Sequence, residues 1–339
     1  MAAYLVRRLW QAIPVLIGVN LITFALFFFV NSPDDMARMQ LGQKRVTPDA
    51  IQKWKEERGY DKPMLYNAGA RCERPLFGWS ALPKLCQEKV TDTIFFRKSA
   101  SMFWFDFGRA DDGRDIAGEI KLRMGPSLAI TIPSFVIGLM SYLTAALILA
   151  FFRATYVDFT GVVLCIAAMS ISSLFFIIGG QWLISKVWHL VPISGFGFGL
   201  DAWRFVVLPV AIGVLAGIGG STRLYRTVFL EEIGKDYVRT ARAKGLSETR
   251  VLFRHVLHNG LIPVLTNVVV AIPTLFIGSL VYESFFGIPG LGSYTIEAIR
   301  SQDFLVVRAM VFLGAVLYII GLILTDFSYT LADPRVRLQ

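Results

Sequence analysis

Six long apolar runs divide the chain: Leu9–Val30, Pro126–Phe152, Phe159–Ser185, Phe205–Ser221, Leu261–Tyr282 and Leu305–Leu331. The first holds Gln11, Pro14 and Asn20 but no charge. At about 1.5 Å rise per residue, a helix of this length crosses a hydrocarbon core of about 30 Å. Arg7 and Arg8 precede it, as in a signal peptide, but the apolar part is too long and no small-x-small cleavage site follows before Asn31-Ser32-Pro33, so an uncleaved helix is expected. The fourth run is diluted by Gly213, Gly217, Gly219 and Gly220, small residues that also suit close helix packing. The pattern predicts an all-α polytopic membrane protein of about six transmembrane helices, with a large loop after the first.

Composition agrees with the pattern. Of 339 residues, 55% are hydrophobic and 17% charged, against about 25% charged in soluble chains. The net charge of +9 could suggest nucleic acid, but the 27 Phe are crowded into the runs rather than interleaved with cations. A membrane, and no nucleic acid, is the expected surrounding.

Sorting the cations by segment orients the chain. One set of connecting segments carries Arg7, Arg8, Arg153, then Arg223, Arg226, Lys235, Arg239, Arg242, Lys244, Arg250 and Arg254, and finally Arg335 and Arg337; the short segments on the other side carry only Lys186, Arg204, Arg300 and Arg308. The loop 31–125 holds seventeen Lys and Arg with fourteen Asp and Glu, but is longer than the roughly 60 residues over which the rule counts. Both termini are therefore expected in the cytoplasm. The expected division is a tail and first helix (1–30), an extracytoplasmic loop (31–125), a five-helix core (126–332) with a cytoplasmic loop at 222–260, and a tail (333–339).

The runs offer little to an ion-coupled carrier. Arg308 lies near the outer end of the last run, where it is expected to snorkel, and Asp326 near the inner end, where a carboxylate facing the bundle is the simpler reading than a proton relay. Pro133 and Pro273 are read as packing kinks. No phosphate-binding G-x-x-x-x-G-K-[ST], no G-x-S-x-G and no H-E-x-x-H occurs. Three His and three Cys suit no His/Cys metal site. No catalytic residue is expected.

The most informative stretch is 223–263, where a soluble helical pattern replaces the apolar one. Tyr225, Phe229, Ile233 and Tyr237 recur every four residues, predicting one helix that continues through Thr240-Ala241-Arg242-Ala243-Lys244. Gly245 fits the left-handed position that ends a helix, and Ser247 can cap a second one with Glu248 in its first turn. A hairpin that only fixes topology would have the same composition.

Here the chain resembles the permease subunits of ATP-binding-cassette importers, within them the dipeptide/oligopeptide group. The block D-Y-V-R-T-A-R-A-K-G-L (236–246) and the following R-H-V-L-H-N (254–259) carry the likeness, although Arg239 and Thr240 stand where the general loop motif has Glu and Ala. Leu5–Leu9, Gly59–Pro63, Phe105–Gly108, Val191–Gly195, Pro289–Gly292 and Asp333–Arg335 look like further landmarks, and only about 67–102 looks like an insertion.

The resemblance implies a type I importer permease fold in the cell inner membrane, with no cofactor in this chain. The implied partners are a second homologous permease, two ATPase subunits that bind ATP and Mg, an extracytoplasmic substrate-binding protein and membrane lipid. It assigns ATPase coupling to Asp236, Tyr237, Arg239, Thr240, Ala241, Arg242, Ala243, Lys244, Gly245 and Leu246. The implied cargo is di- or oligopeptide; a nickel complex or a peptide-linked antibiotic stays open within the family, and an ion-coupled carrier outside it. Glu283, Phe286, Pro289, Gly290, Gly292 and Asp303 are candidates for the substrate path or for docking the binding protein, with solvated loop charges the simpler reading of the acids. The segment from Thr47-Pro48-Asp49 to Arg58 is expected to be a helix near that docking surface. Cys72 and Cys86 share the outer loop and are expected to pair; Cys165 is read as a packing residue.

Overall fold

The computed structural model describes residues 2–30, 32–42, 47–64, 93–197 and 199–332. Cys72, Cys86 and Asp333–Arg335 lie outside them. The described residues are almost wholly helical, with one isolated β-bridge, Arg109 to Asp115. In chain order the helices are α1 (Ala2–Ala25, prolonged by a π turn over Leu26–Val30), α2 (Pro33–Leu41), α3 (Pro48–Arg58), α4 (Ile94–Lys98), α5 (Ile116–Phe151), α6 (Tyr156–Ser170) and α7 (Ser173–Gly180, with a π segment Gln181–Val187). There follow α8 (Ala202–Ile233), α9 (Asp236–Ala243), α10 (Glu248–Val251, with a π segment Leu252–Leu257), α11 (His258–Ile277), α12 (Leu280–Phe286), α13 (Leu291–Ser301) and α14 (Phe304–Ala332).

Five helical stretches are long and apolar enough to cross a membrane: Trp10–Phe29, Ile116–Phe151, Ala202–Ile233, Glu248–Ile277 and Phe304–Asp326. The third predicted run is not a straight span. It breaks into α6 and α7 with its extension, bent by 89°, and gives a sixth crossing only if the pair is counted as one. Serine chemistry explains the break: Ile171 is extended, and the Ser172 hydroxyl accepts from the Leu174 backbone N–H as a new helix cap. The fifth run likewise stops at Ile277 instead of Tyr282, because Gly278 turns left-handed (φ 76°) and Ser279 caps α12. The fourth run, shortest in the sequence, belongs to a 32-residue helix. A Cβ at Gly219 of α8 would collide with the Cys165 carbonyl oxygen of α6 and one at Gly217 with the Tyr142 hydroxyl, so these two of the diluting glycines are contact points. Cys165 is buried there.

The chain divides into two compact units. One comprises Ala2–Leu122 and Glu297–Val316. Its core joins Phe24 and Phe28 of α1 to Met36, Ala37, Ile51, Trp54, Tyr60 and Ile94. The expected helix α3 is present, with Thr47 at the cap position and Pro48 in its first turn, but Thr47 makes no side-chain capping bond. Gly59 (φ 68°) ends it while Tyr60 N–H reaches back to the Lys55 carbonyl.

Arg308 does not snorkel. It is 1% exposed, donating to the Ser99 hydroxyl, with its guanidinium 5.6 Å from the Phe24 ring and 5.3 Å from the Phe28 ring. Asn20 donates to the Ser99 carbonyl at 2.9 Å. Ser99 thereby ties the segment after α4 to both α1 and α14.

The other unit holds Arg123–Ile296 and α14 from Leu317. One of its clusters joins Leu143, Ala146 and Ala150 of α5 to Tyr225, Phe229 and Ile233 of α8, to Val238 and Ala241 of α9 and to Val251, Leu252 and Val256. A second surrounds Ile130, Ile177, Leu208, Ile212, Phe286 and Ile288. Near the end of α14, Asp326 is half-buried.

Candidate functional site

Three features of this second unit bear on function: the hairpin after α8, the corner around Glu283, and a cavity among α5, α8, α11 and α12. The hairpin differs from the expected single helix. α8 ends at Ile233, Gly234 closes it with its N–H on the carbonyls of Leu230 and Glu231, and Lys235 is extended before α9 begins. The buried carboxylate of Glu232 holds this corner by accepting from Lys235 Nζ and from the Tyr237 hydroxyl. Burial and that acceptor push the Tyr237 phenol up to about 12, so it stays a hydrogen donor at any physiological pH. The bend returns Val238 and Ala241 to the core that Phe229 and Ile233 began.

Gly245 ends α9 as its position in the sequence requires, with φ 76°. Gly245 N–H bonds to the Arg242 carbonyl (2.9 Å) and Leu246 N–H to the Ala241 carbonyl (3.4 Å), the paired bonds of a Schellman turn. Across it, the Arg242 guanidinium donates twice to Glu248, at 2.8 and 3.1 Å. Ser247 occupies the cap position of α10 without a side-chain capping bond.

The ten coupling candidates therefore split by face. Val238, between them, and Ala241 are buried, while Tyr237 and Leu246 pack against the same core. Asp236, Arg239, Thr240, Ala243, Lys244 and Gly245 are exposed, and Arg242 is half-exposed. Ala241 is thus small to fit beneath its own helix, and the face open to a partner is the cationic one. Sequence reasoning passed over the pair beside the hairpin: Arg226 of α8 grips the buried Asp158 of α6 through two bonds of 2.7 Å. A lone acid just past an apolar run carries no mark of its partner 68 positions away.

At the outer-loop candidates the acids are not solvated. Glu283 is 1% exposed. Its Oε1 accepts from the Ser127 hydroxyl (2.8 Å) and Ser279 N–H (3.1 Å), and its Oε2 from Ser293 N–H (3.0 Å); Ser127 Oγ in turn accepts from Leu291 N–H (2.8 Å). One carboxylate so joins the starts of α12 and α13 to α5. Burial pushes its carboxyl up, against the pull of these donors. A Cβ at Gly278 or Gly290 would strike this carboxylate, and one at Gly292 would strike the backbone of Ser279 and Leu280. Phe286 is buried in the second cluster, while Pro289 is exposed.

Asp303 belongs to the first unit and is also buried, accepting from Asp111 N–H at 2.6 Å and capping α14 through Val306 N–H at 3.2 Å. Burial raises its carboxyl too. Of the six candidates only Pro289 is open to a ligand; the acids are internal ties.

The cavity was not legible in the sequence. Its volume is about 360 Å³, and its polar lining consists of Thr131, Ser134, Tyr142, Ser221, Tyr225, Asn267, Ser279 and Tyr282, interspersed with Ile130, Phe135, Leu139 and Leu275. Hydroxyls and an amide line it, and among the described residues no charged side chain does. Such groups both donate and accept, so they can replace water around amides but cannot balance a bare charge.

Comparison with known proteins gives the family of the chain. Residues 122–338 match the family described as binding-protein-dependent transport system inner membrane component, and residues 1–102 match the N-terminal region described for such membrane components. The second match includes the segment 67–102. A protein named as a candidate peptide transport system permease in Brucella abortus (strain 2308) is 31% identical over 344 residues, covering 99% of both chains. The di/tripeptide transport system permease protein of Pseudomonas aeruginosa (strain UCBPP-PA14) is 29% identical over 364 residues, covering 100% of both. The dipeptide transport system permease protein of Escherichia coli (strain K12) is 27% identical over 364 residues, covering 99% of both.

Proposed function

The chain belongs to the family of inner membrane components of binding-protein-dependent transport systems, and from that premise we propose that it is one of two permease subunits of an ATP-driven importer of di- and oligopeptides. It is a transport subunit rather than an enzyme. Two partner ATPase subunits supply ATP and Mg chemistry, a homologous permease completes the passage, and an extracytoplasmic binding protein delivers cargo. Both termini and the α9 hairpin face the cytoplasm, a reading that the cation distribution supports.

The observation that carries this reading is the exposed cationic face of α9 on a turn fixed by Gly245 and by the Arg242–Glu248 pair. A rigid projecting helix whose inner side is locked into α5 and α8 can transmit a push, because closure of the ATPase pair displaces α9 and its core with it. Asp236, Arg239, Thr240, Arg242, Ala243, Lys244 and Gly245 form the docking face; Tyr237, Ala241 and Leu246 anchor it. The uncharged cavity fits peptide cargo. Backbone amides leaving water find both donors and acceptors, and cargo of any side-chain charge meets no fixed like charge.

ATP-dependent uptake of a panel of short peptides by the reconstituted complex tests this proposal. Uptake of peptides of varied sequence is expected; uptake of nickel complexes with no peptide transport would overturn the cargo. Failure of the chain to co-purify with ATPase subunits from the whole expressed transport system would overturn the coupling assignment.

A further inference from the structure

We propose that the crevice at the inner foot of α5 is a binding site for the headgroup of an anionic phospholipid of the cytoplasmic leaflet. The crevice has a volume of about 500 Å³ and a floor of Ile233, Val251, Leu252 and Val256. Two arginines, Arg153 and Arg242, and one acid, Glu248, line its polar part. Glu248 neutralises Arg242 through the bidentate pair. The positive charge left over is that of Arg153, which is exposed and has no ion pair, hydrogen bond or ring contact among the described residues.

Its position is built rather than incidental. Arg153 sits in the four-residue turn between α5 and α6 (Phe152–Thr155), next to Ala154, whose φ of 62° is rare for a residue with a side chain. The turn is held by the Ala154 N–H donating to Asp158 Oδ2 (3.1 Å), and Asp158 is clamped by Arg226. A strained residue backed by a buried ion pair marks a geometry that the surrounding structure enforces.

The occupant follows from what adjoins the cation. The crevice is lined by Phe151, which packs edge-on against Phe152; both are 43% exposed, and Ile148 of α5 is exposed as well. Aromatic rings at the foot of a span beside one unpaired arginine match the glycerol region and the phosphate of a phospholipid whose acyl chains stay in the membrane. A neutral headgroup would bring its own cation to the arginine, so a net negative lipid is favoured. The inference rests on the cytoplasmic orientation proposed above.

The test uses the whole complex in vesicles of phosphatidylcholine with or without phosphatidylglycerol. Native mass spectrometry is expected to find phosphatidylglycerol retained by the wild type, about tenfold less on Arg153→Gln and partly restored on Arg153→Lys, one order of magnitude corresponding to one lost charge-assisted contact. ATP-driven uptake is expected to rise several-fold with phosphatidylglycerol in the wild type and not in Arg153→Gln. Equal retention and equal lipid response in both would overturn the proposal. So would loss of ATPase subunits from Arg153→Gln in both kinds of vesicle, which would assign the crevice to a protein partner. Labelling of Lys244→Cys by an impermeant maleimide checks the orientation separately: reaction in inverted vesicles, with no lipid effect, sinks only the lipid site.

Discussion

Two glycine-rich corners of the chain handle charge in opposite ways. At Gly245 the cations Arg239 and Lys244 stand in solvent on a turn with open space around it, whereas between Gly278 and Gly290 the single carboxylate of Glu283 is enclosed. Both corners need glycine, for different reasons. Gly245 needs only its left-handed backbone, since a Cβ there would meet nothing within 4 Å. Gly290 has an ordinary φ and needs the missing side chain, because a Cβ would occupy the space of the Glu283 carboxylate. A charge held by many partners fixes structure, whereas Lys244, and Arg239 with only the exposed Asp236 beside it (3.4 Å), remain accessible to a partner.

The largest expected effect is therefore at Gly290. Gly290→Val should leave little folded protein, a loss above about 3 kcal/mol, read as the yield of monodisperse chain after membrane extraction. Glu283→Ala strands the Ser127 hydroxyl and two backbone donors and should cost about 3 kcal/mol, lowering the thermal midpoint. The pH response separates charge from shape. Because burial raises the folded-state carboxyl above its unfolded value, the contribution is unaffected below the ordinary carboxylate range and becomes unfavourable as pH rises through the raised value. Wild-type stability should thus fall relative to Glu283→Gln on going from acid to neutral pH. A parallel response in the two proteins would show that Glu283 is not the titrating group.

At the other corner the effects shift from folding to coupling. Gly245→Val pays only backbone strain of about 1–2 kcal/mol, so the chain should insert and assemble while ATP hydrolysis no longer drives uptake. Normal transport by that variant would remove α9 from the coupling role. Lys244→Glu should change stability by less than about 0.5 kcal/mol yet weaken co-purification of the ATPase subunits. Arg242→Ala removes a half-exposed ion pair worth about 0.5 kcal/mol, detectable as a slightly lower midpoint and a looser turn.

Much of the first corner was legible in advance. Helical spacing up to Ile233, a small-residue helix and a glycine before Ser247 and Glu248 are local signals, and local signals specify local backbone. The break at Gly234 was not, because whether a helix continues past a glycine depends on where Val238 and Ala241 find a core. The second corner was read as solvated loop acids, since Glu283 and Asp303 look like any polar residues between two apolar runs. Their burial depends on Ser127 and Asp111, 156 and 192 positions away. Arg308 was misplaced for the same reason: snorkelling is the default for a cation near a span end, and only the approach of Phe24, Phe28 and Ser99 overrides it.

By itself the sequence determined the solvent, the number of apolar runs, the gathering of cations in alternate connecting segments and the family of the chain, because each of these depends on summed transfer energies or on contiguous motifs. The tertiary structure decided which spans break, which charges are ties and which are free, and that α5, α8, α11 and α12 enclose an uncharged cavity. Those properties depend on pairs of groups distant in the chain, and a hydroxyl or carboxylate has the same letter whether its partner is water, a neighbouring helix or a passing peptide.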